Sequence, residues 1–354
     1  MKQQQVTATV VSAALEVSNQ SRTLEYSDDQ VLVKVERGGI CGSDIHYYQH
    51  GRAGMSVLKE PMILGHEFIG QVAEAPANST LKIGQRVAIN PSSPCNHCEF
   101  CLAGKQNHCR TMKFMGSAQF FPHVQGGFAS YVAVRPEQCV PYAEEADARV
   151  IAFAEPLAVA LHALHQAGDL VGKRVLVTGS GPIGCLVIAS AFAAGASEIV
   201  ATDMSERCRA LALAMGASKA VDPTDGETTG KWQENGGYFD LCFEASGAPA
   251  AIASTVGFTR PKGRIVQLGM GAASLDFPLG LLLVKEIELA GSFRFINEFA
   301  IAVRWLESGR INPLPLLSAV FPQQEVVSAL QMACDKSQAA KVQITFSSVP
   351  SGTS

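Results

Sequence analysis

No apolar run in this chain is long enough to span a bilayer. The longest, IGCLVIASAFAAGA from Ile183 to Ala196, falls short of the roughly 20 residues required and reads as a buried helix. Cationic excess is also missing. With 28 Lys and Arg against 32 Asp and Glu, the net charge of -4 offers no field for nucleic acid or an anionic membrane. The opening MKQQQVTATVVSAALEV lacks the form of a signal peptide, since Thr7, Thr9 and Ser12 break its apolar stretch; a reducing cytoplasm is expected. Cysteine is modest at ten residues, which excludes a disulfide framework, and Cys139, Cys185, Cys208, Cys242 and Cys334 are scattered as small core residues would be. Charged residues reach only 17 %, a sparseness that favours subunit contacts and a homo-oligomer, dimer or tetramer. What these absences leave is a globular chain acting on small molecules, with length for about two domains at roughly 150 residues each.

Four cysteines, in contrast, crowd into CNHCEFCLAGKQNHC. In a reducing compartment Cys95, Cys98, Cys101 and Cys109 offer four thiolates to one tetrahedral ion, and zinc is the natural occupant. His97 and His108 are alternative donors, each beside a thiol that already fits. Four sulfurs close the site to substrate, so this zinc holds a loop in shape, with Lys105 and Arg110 placed to offset the cluster's charge.

A second donor set lies earlier, in GGICGSDIHYY and ILGHEFIG. Cys41, His66 and Glu67 mix thiolate, imidazole and carboxylate among glycines that let the backbone turn. Three protein ligands with a free fourth position describe a catalytic zinc; an ordinary structural role for the same residues is the competing reading.

The middle of the chain, KRVLVTGSGPIGCLVIASAFAAGASEIVATDMSERC, reads as a strand, a glycine turn, a buried helix and a second strand ending in an acid. Gly179, Gly181 and Gly184, with Pro182 and Ile183 between the last two, form G-x-G-x-x-G at a helix N-terminus, where a pyrophosphate binds. Asp203 stands near the spacing at which a carboxylate meets the ribose 2'-hydroxyl, favouring NAD over NADP, while Arg207 and Arg209 just beyond soften that preference.

Together these segments resemble the zinc-dependent medium-chain dehydrogenases, and within them the sorbitol and idonate branch. GSAQFFPHVQGGF, AFAEPLAVALHA, GSFRF and INPLPLLSA extend the resemblance along nearly the whole chain. It implies an α/β protein in which a GroES-like (chaperonin-10-like) β-barrel catalytic domain is joined to a Rossmann doubly wound parallel sheet. The barrel would comprise residues 1–150 and 294–354, the NAD-binding domain 151–293, and the tail SSVPSGTS would be disordered.

The resemblance further implies that Cys41, His66 and Glu67 hold the catalytic zinc, with Glu155 near the metal, ligating directly or through water. Ser43 and His46 match the hydroxyl and imidazole that pass a proton outward, and Tyr47 and Arg294 match substrate-facing positions. His50, His123, His162 and His165 are left structural or solvent-facing. The implied substrate is a sugar acid or a neutral polyol; for the acid's carboxylate, Arg294, Lys113 and Arg52 are candidate partners. A relative that kept the glycine loop but lost catalysis is the rival from another class.

Overall fold

In the computed structural model of the protein, residues 1–271 and 274–346 are described; the tail expected to be disordered lies outside them. The chain forms two compact units. Met1–Glu155, Phe299–Ser308 and residues 317–346 make the first, and Pro156–Glu298 with Gly309–Leu316 the second.

The first unit is built on mainly antiparallel sheets, with its two returning strands, Leu317–Pro322 and Lys341–Thr345, paired in parallel. β1 (Lys2–Ala13) and β2 (Glu16–Tyr26) pair from Lys2↔Tyr26 to Ala13↔Glu16. Val6, Ala8 and Val10 alternate inward along β1 while Gln3, Gln5 and Thr7 face water, the period-2 pattern of a half-buried strand. β3 (Val31–Gly39) leads into α1 (Gly42–His50). The main sheet runs β7 (Cys139–Pro141), β5 (Arg86–Ile89), β4 (Glu67–Glu74), β3, then the returning strands Lys341–Thr345 and Leu317–Pro322, with β6 (Tyr131–Val134) also on β3. The end of β3 is thereby flanked on both sides, with Glu67 opposite Gly39 in β4 and Gln343 opposite Gly39 in the returning strand. Val33, Val35, Phe68, Val72, Phe128, Val342 and Ile344 share its core.

α2 (Ala154–Ala167) starts with Glu155 in the first unit and continues into the second. There β8 (Arg174–Thr178), α3 (Pro182–Ala193), β9 (Glu198–Thr202), β10 (Lys219–Val221), β11 (Phe239–Glu244), β12 (Thr259–Gln267), α4 (Leu279–Val284) and β13 (Glu288–Gly291) follow in sequence. The six strands are all parallel, in the order β10-β9-β8-β11-β12-β13. That is a doubly wound order, with its topological switch between β8 and β11, where such sheets bind ligand. β8 and β11 are buried along nearly their whole length, as the central strands of a parallel sheet covered on both faces are.

A polar knot closes the second unit. The buried Glu298 carboxylate is shared by His162 Nδ1 at 2.9 Å and His165 Nδ1 at 2.7 Å, and accepts the Ile296 amide at 2.6 Å. Among the described residues, no helix is long and apolar enough to cross a membrane.

Candidate active site

The four-cysteine loop folds on itself so that one sulfur from each of Cys95, Cys98, Cys101 and Cys109 lies within 4.8 Å of the others. Cys98 precedes a short helical turn, Glu99–Leu102, that brings Cys101 back under it. The Cys95–Cys101 and Cys98–Cys101 sulfur separations are 3.9 and 3.6 Å, against about 3.8 Å for the edge of a tetrahedron with zinc–sulfur bonds of about 2.3 Å. Backbone amides supply the donors that thiolates need: Cys95 N–H reaches Cys109 Sγ at 3.2 Å and Cys98 N–H reaches Cys95 Sγ at 3.4 Å. The His97 amide chiefly, against burial and with help from the Cys98 amide, draws the Cys95 thiol down to about 6. His97 and His108 point outward, and His97 Nδ1 lies 2.8 Å from the Cys95 carbonyl, so the sulfurs alone form the cluster. Arg110 pairs with Glu99 at the rim. This donor set fits a structural zinc.

The second set is also brought together: Cys41 Sγ, a His66 ring nitrogen and a Glu67 oxygen all lie within 4.8 Å of one another. Cys41 caps α1 immediately after β3, and Glu67 opens β4 beside it, so strand register makes the site. Asp44 fixes the two segments, its carboxylate accepting the Cys41 amide at 2.9 Å and the Gly65 amide at 3.0 Å. A Cβ on Gly39 would lie 2.3 Å from Glu67 Oε2, so only glycine leaves room for that carboxylate. Lys341 closes the far side, with Nζ 2.8 Å from each Glu67 oxygen.

The electrostatics of this pocket call for a cation. Burial first, then Glu67, pushes the Cys41 thiol up to about 12. Burial, opposed by His66 and reinforced by Glu67 and Cys41, pushes the Glu155 carboxyl up to about 8. Among the described residues, the buried His66 Nδ1 has no hydrogen-bond partner. A dication would accept a lone pair and favour the ionised thiol and carboxyls, as three protein ligands around zinc do. The residues present fit the group.

The other expected residues take varied places. Ser43 is half-buried and His46 exposed, successive on the first turns of α1; burial, then His50 and Lys336, lowers the His46 pKa. The His46 and His50 rings stand 5.9 Å apart. Tyr47 is buried in the first unit's core, where its hydroxyl accepts the Ala118 amide at 2.9 Å, so its ring packs. Arg294 in the second unit has a left-handed backbone at φ 54° and stacks its guanidinium on Phe293. Lys113 and Arg52 are exposed.

At the switch point the glycine turn is tightly determined. A Cβ on Gly184 would sit 1.9 Å from the Gly179 carbonyl, whereas one on Gly181 would meet nothing within 4 Å among the described residues. Close packing forbids a side chain at Gly184, and open space at Gly181 lets a pyrophosphate reach the backbone at the N-terminus of α3, which Pro182 and Ile183 begin. Asp203 follows β9 at the same place, its two oxygens accepting the Ser180 and Ser205 amides at 2.8 Å each. Each carboxylate oxygen retains a lone pair for a ribose hydroxyl. Arg209 is engaged with the Asp203 carbonyl and Asp222, and Arg207 is half-buried. These residues fit a dinucleotide.

Sequence reasoning missed Asp44, Lys341 and Glu244. Asp44 sits three residues after Cys41, a capping-box spacing that was available to be read. Glu244 ends β11, wholly buried, and gathers the Ser246 and Gly247 amides and Gln267 Nε2. Neither it nor Lys341 carried a local signal.

Residues 27–144 match the alcohol dehydrogenase GroES-like domain, and residues 182–308 match the zinc-binding dehydrogenase family. Over 337 residues the chain is 50 % identical to an L-idonate 5-dehydrogenase (NAD(P)(+)) of Escherichia coli strain K12, covering 95 % of this chain and 98 % of that one. The crystal structure of L-idonate 5-dehydrogenase from E. coli K-12 superimposes with a TM-score of 0.95 at 49 % identity, covering 97 % of this chain and 99 % of that one. A probable D-xylulose reductase A of Aspergillus terreus is 37 % identical over 313 residues, 85 % of this chain and 86 % of that one.

Proposed function

This chain belongs to the zinc-dependent medium-chain dehydrogenases, and on that premise we propose that it oxidises L-idonate at carbon 5 to 5-keto-D-gluconate with NAD(P). The observation that carries the substrate is the 50 % identity over 95 % of the chain to an enzyme of that name.

Oxidation of a secondary alcohol removes a proton from oxygen and a hydride from carbon. When bound, zinc supplies a Lewis acid for the substrate hydroxyl and the nicotinamide supplies the hydride acceptor. Cys41, His66 and Glu67 would hold the metal, with Glu155 beside them, and Cys95, Cys98, Cys101 and Cys109 would hold the second ion. Ser43 Oγ takes the proton from the substrate hydroxyl. The His46 imidazole, exposed and with its pKa lowered, is neutral near pH 7 and carries that proton to solvent. In the second unit the turn from Gly179 to Gly184 receives the pyrophosphate and Asp203 the adenine ribose. Arg294 is a candidate cation for a substrate carboxylate.

A homo-oligomer is supported by the apolar surface of the second unit. Leu279, Leu283 and Val284 of α4 are 66, 70 and 76 % exposed near β13, which ends the parallel sheet. The modest cysteine content, with five thiols gathered in the two donor sets, supports a reducing cytoplasm as its location.

Initial rates on L-idonate, sorbitol and xylitol at equal concentration, with NAD and with NADP, test the assignment. L-idonate is expected to be turned over about ten- to a hundredfold better, the range that one charge-assisted contact of about 1.5–3 kcal/mol gives. The reductase relative favours the second reading, a neutral polyol substrate, and a polyol turned over as well as L-idonate would establish it.

A further inference from the structure

Beside the candidate catalytic centre lies a buried cation that the proposed chemistry does not use. Lys341 has three ammonium hydrogens and three acceptors: Glu67 Oε1 and Oε2 at 2.8 Å each and the Ile40 carbonyl at 3.1 Å. Both side chains are buried, at 5 and 1 % exposure. Strand register sets up the meeting. Glu67 faces Gly39 from β4, and Lys341 comes from the strand that pairs with the other side of β3. The carboxylate passes over the bare Cα of Gly39, where a Cβ would lie 2.3 Å from Oε2.

We infer that Lys341 is a positioning residue for the catalytic metal: by holding both oxygens of Glu67 it makes that carboxylate a shared, weakened donor and keeps the centre electrophilic. This rests on the reading of Cys41, His66 and Glu67 as the metal's ligands. A carboxylate that already accepts two charge-assisted hydrogen bonds gives less electron density to a metal than a free one. Burial points the same way: Lys341 is a cation set against the Glu67 carboxylate inside the protein, where a lone carboxylate would be costly. Gly39 belongs to the same device, since it is the gap through which the pair meets.

The test uses Lys341→Met, Lys341→Arg and Gly39→Ala, each read by zinc content, by the visible absorption of the cobalt-substituted enzyme and by kcat. Lys341→Met is expected to keep its zinc, to shift the cobalt bands, and to lose about ten- to a hundredfold in kcat, as loss of an outer-shell partner does. Lys341→Arg, which can still grip both oxygens, is expected to recover most of the spectrum and rate. Should Lys341→Met fail to fold, Gly39→Ala carries the test, since it crowds Glu67 Oε2 and leaves the metal ligands themselves in place. A wild-type cobalt spectrum and kcat in folded Lys341→Met or Gly39→Ala overturns the inference. So does zinc loss in proportion to activity, which would make Lys341 a mere support for metal retention. One zinc per wild-type chain, confined to the four-cysteine loop, overturns the metal centre itself and is recognised before any variant is made.

Discussion

Asp44 Oδ1 accepts the amide hydrogen of Gly65 at 3.0 Å across 21 residues of sequence, while Oδ2 accepts that of Cys41 at 2.9 Å. One buried carboxylate therefore ties the backbone that carries the Cys41 thiol to the backbone that carries His66 and Glu67.

Replacing Asp44 with Ala should strip two amides of their acceptor, and each buried unpaired group costs about 1–3 kcal/mol. The expected result is a lower Tm together with weaker zinc retention at the catalytic set, measured by thermal melting and by metal analysis after dialysis against a chelator. An unchanged Tm with full zinc would remove Asp44 from the site's architecture.

Two zinc ions per chain are expected, because two donor sets are assembled independently. Cys41→Ser should abolish turnover with the fold kept. Cys98→Ser should lower thermal stability first, since a structural site contributes its binding free energy to folding. Metal analysis of active enzyme showing fewer than two zincs, or Cys98→Ser melting as wild type does, counts against this.

Asp203 should give a preference for NAD over NADP. Its carboxylate is held by the Ser180 and Ser205 amides beside the glycine turn, where a 2'-phosphate would meet like charge. Asp203→Ser is expected to cut kcat/KM for NAD by about tenfold or more, the cost of a lost charged hydrogen bond, and to narrow the gap to NADP. Equal kcat/KM for the two cofactors in the wild type would contradict the assignment.

Glu298 should make stability fall in acid. Burial alone would raise its carboxyl, but hydrogen bonds from His162, the Ile296 amide and His165 outweigh it and hold the group at about 2. A carboxylate depressed on folding contributes stability that is present above its unfolded value of about 4.3 and is lost as pH falls toward 2. Glu298→Gln should accordingly be less stable than wild type at pH 7, with the difference shrinking below about pH 4.3. Denaturant melts across pH measure it; a gap that stays constant with pH would show that the carboxylate's charge contributes nothing.

Local patterns made much of this protein legible. The four-cysteine loop needs only short-range spacing, because one turn of helix at Glu99–Leu102 and a few amides bring the sulfurs together. The glycine turn was equally readable, since Gly179, Gly181 and Gly184 serve a backbone geometry that the flanking strand and helix impose. Tyr47 shows the opposite case. Its hydroxyl accepts the Ala118 amide, a partner 71 residues away that no pattern around Tyr47 announces.

By itself, then, the sequence determined the donor sets, the nucleotide turn and the parallel character of the second unit, all properties of neighbours along the chain. Which charges stand behind those donors was decided by the tertiary structure. Lys341 reaches Glu67 across 274 residues because a returning strand pairs with β3, and Glu298 meets His162 across 136 because the chain comes back to α2. Such pairings are fixed by sheet register and core packing, which depend on the whole chain burying its apolar surface at once, so no short stretch of residues contains them.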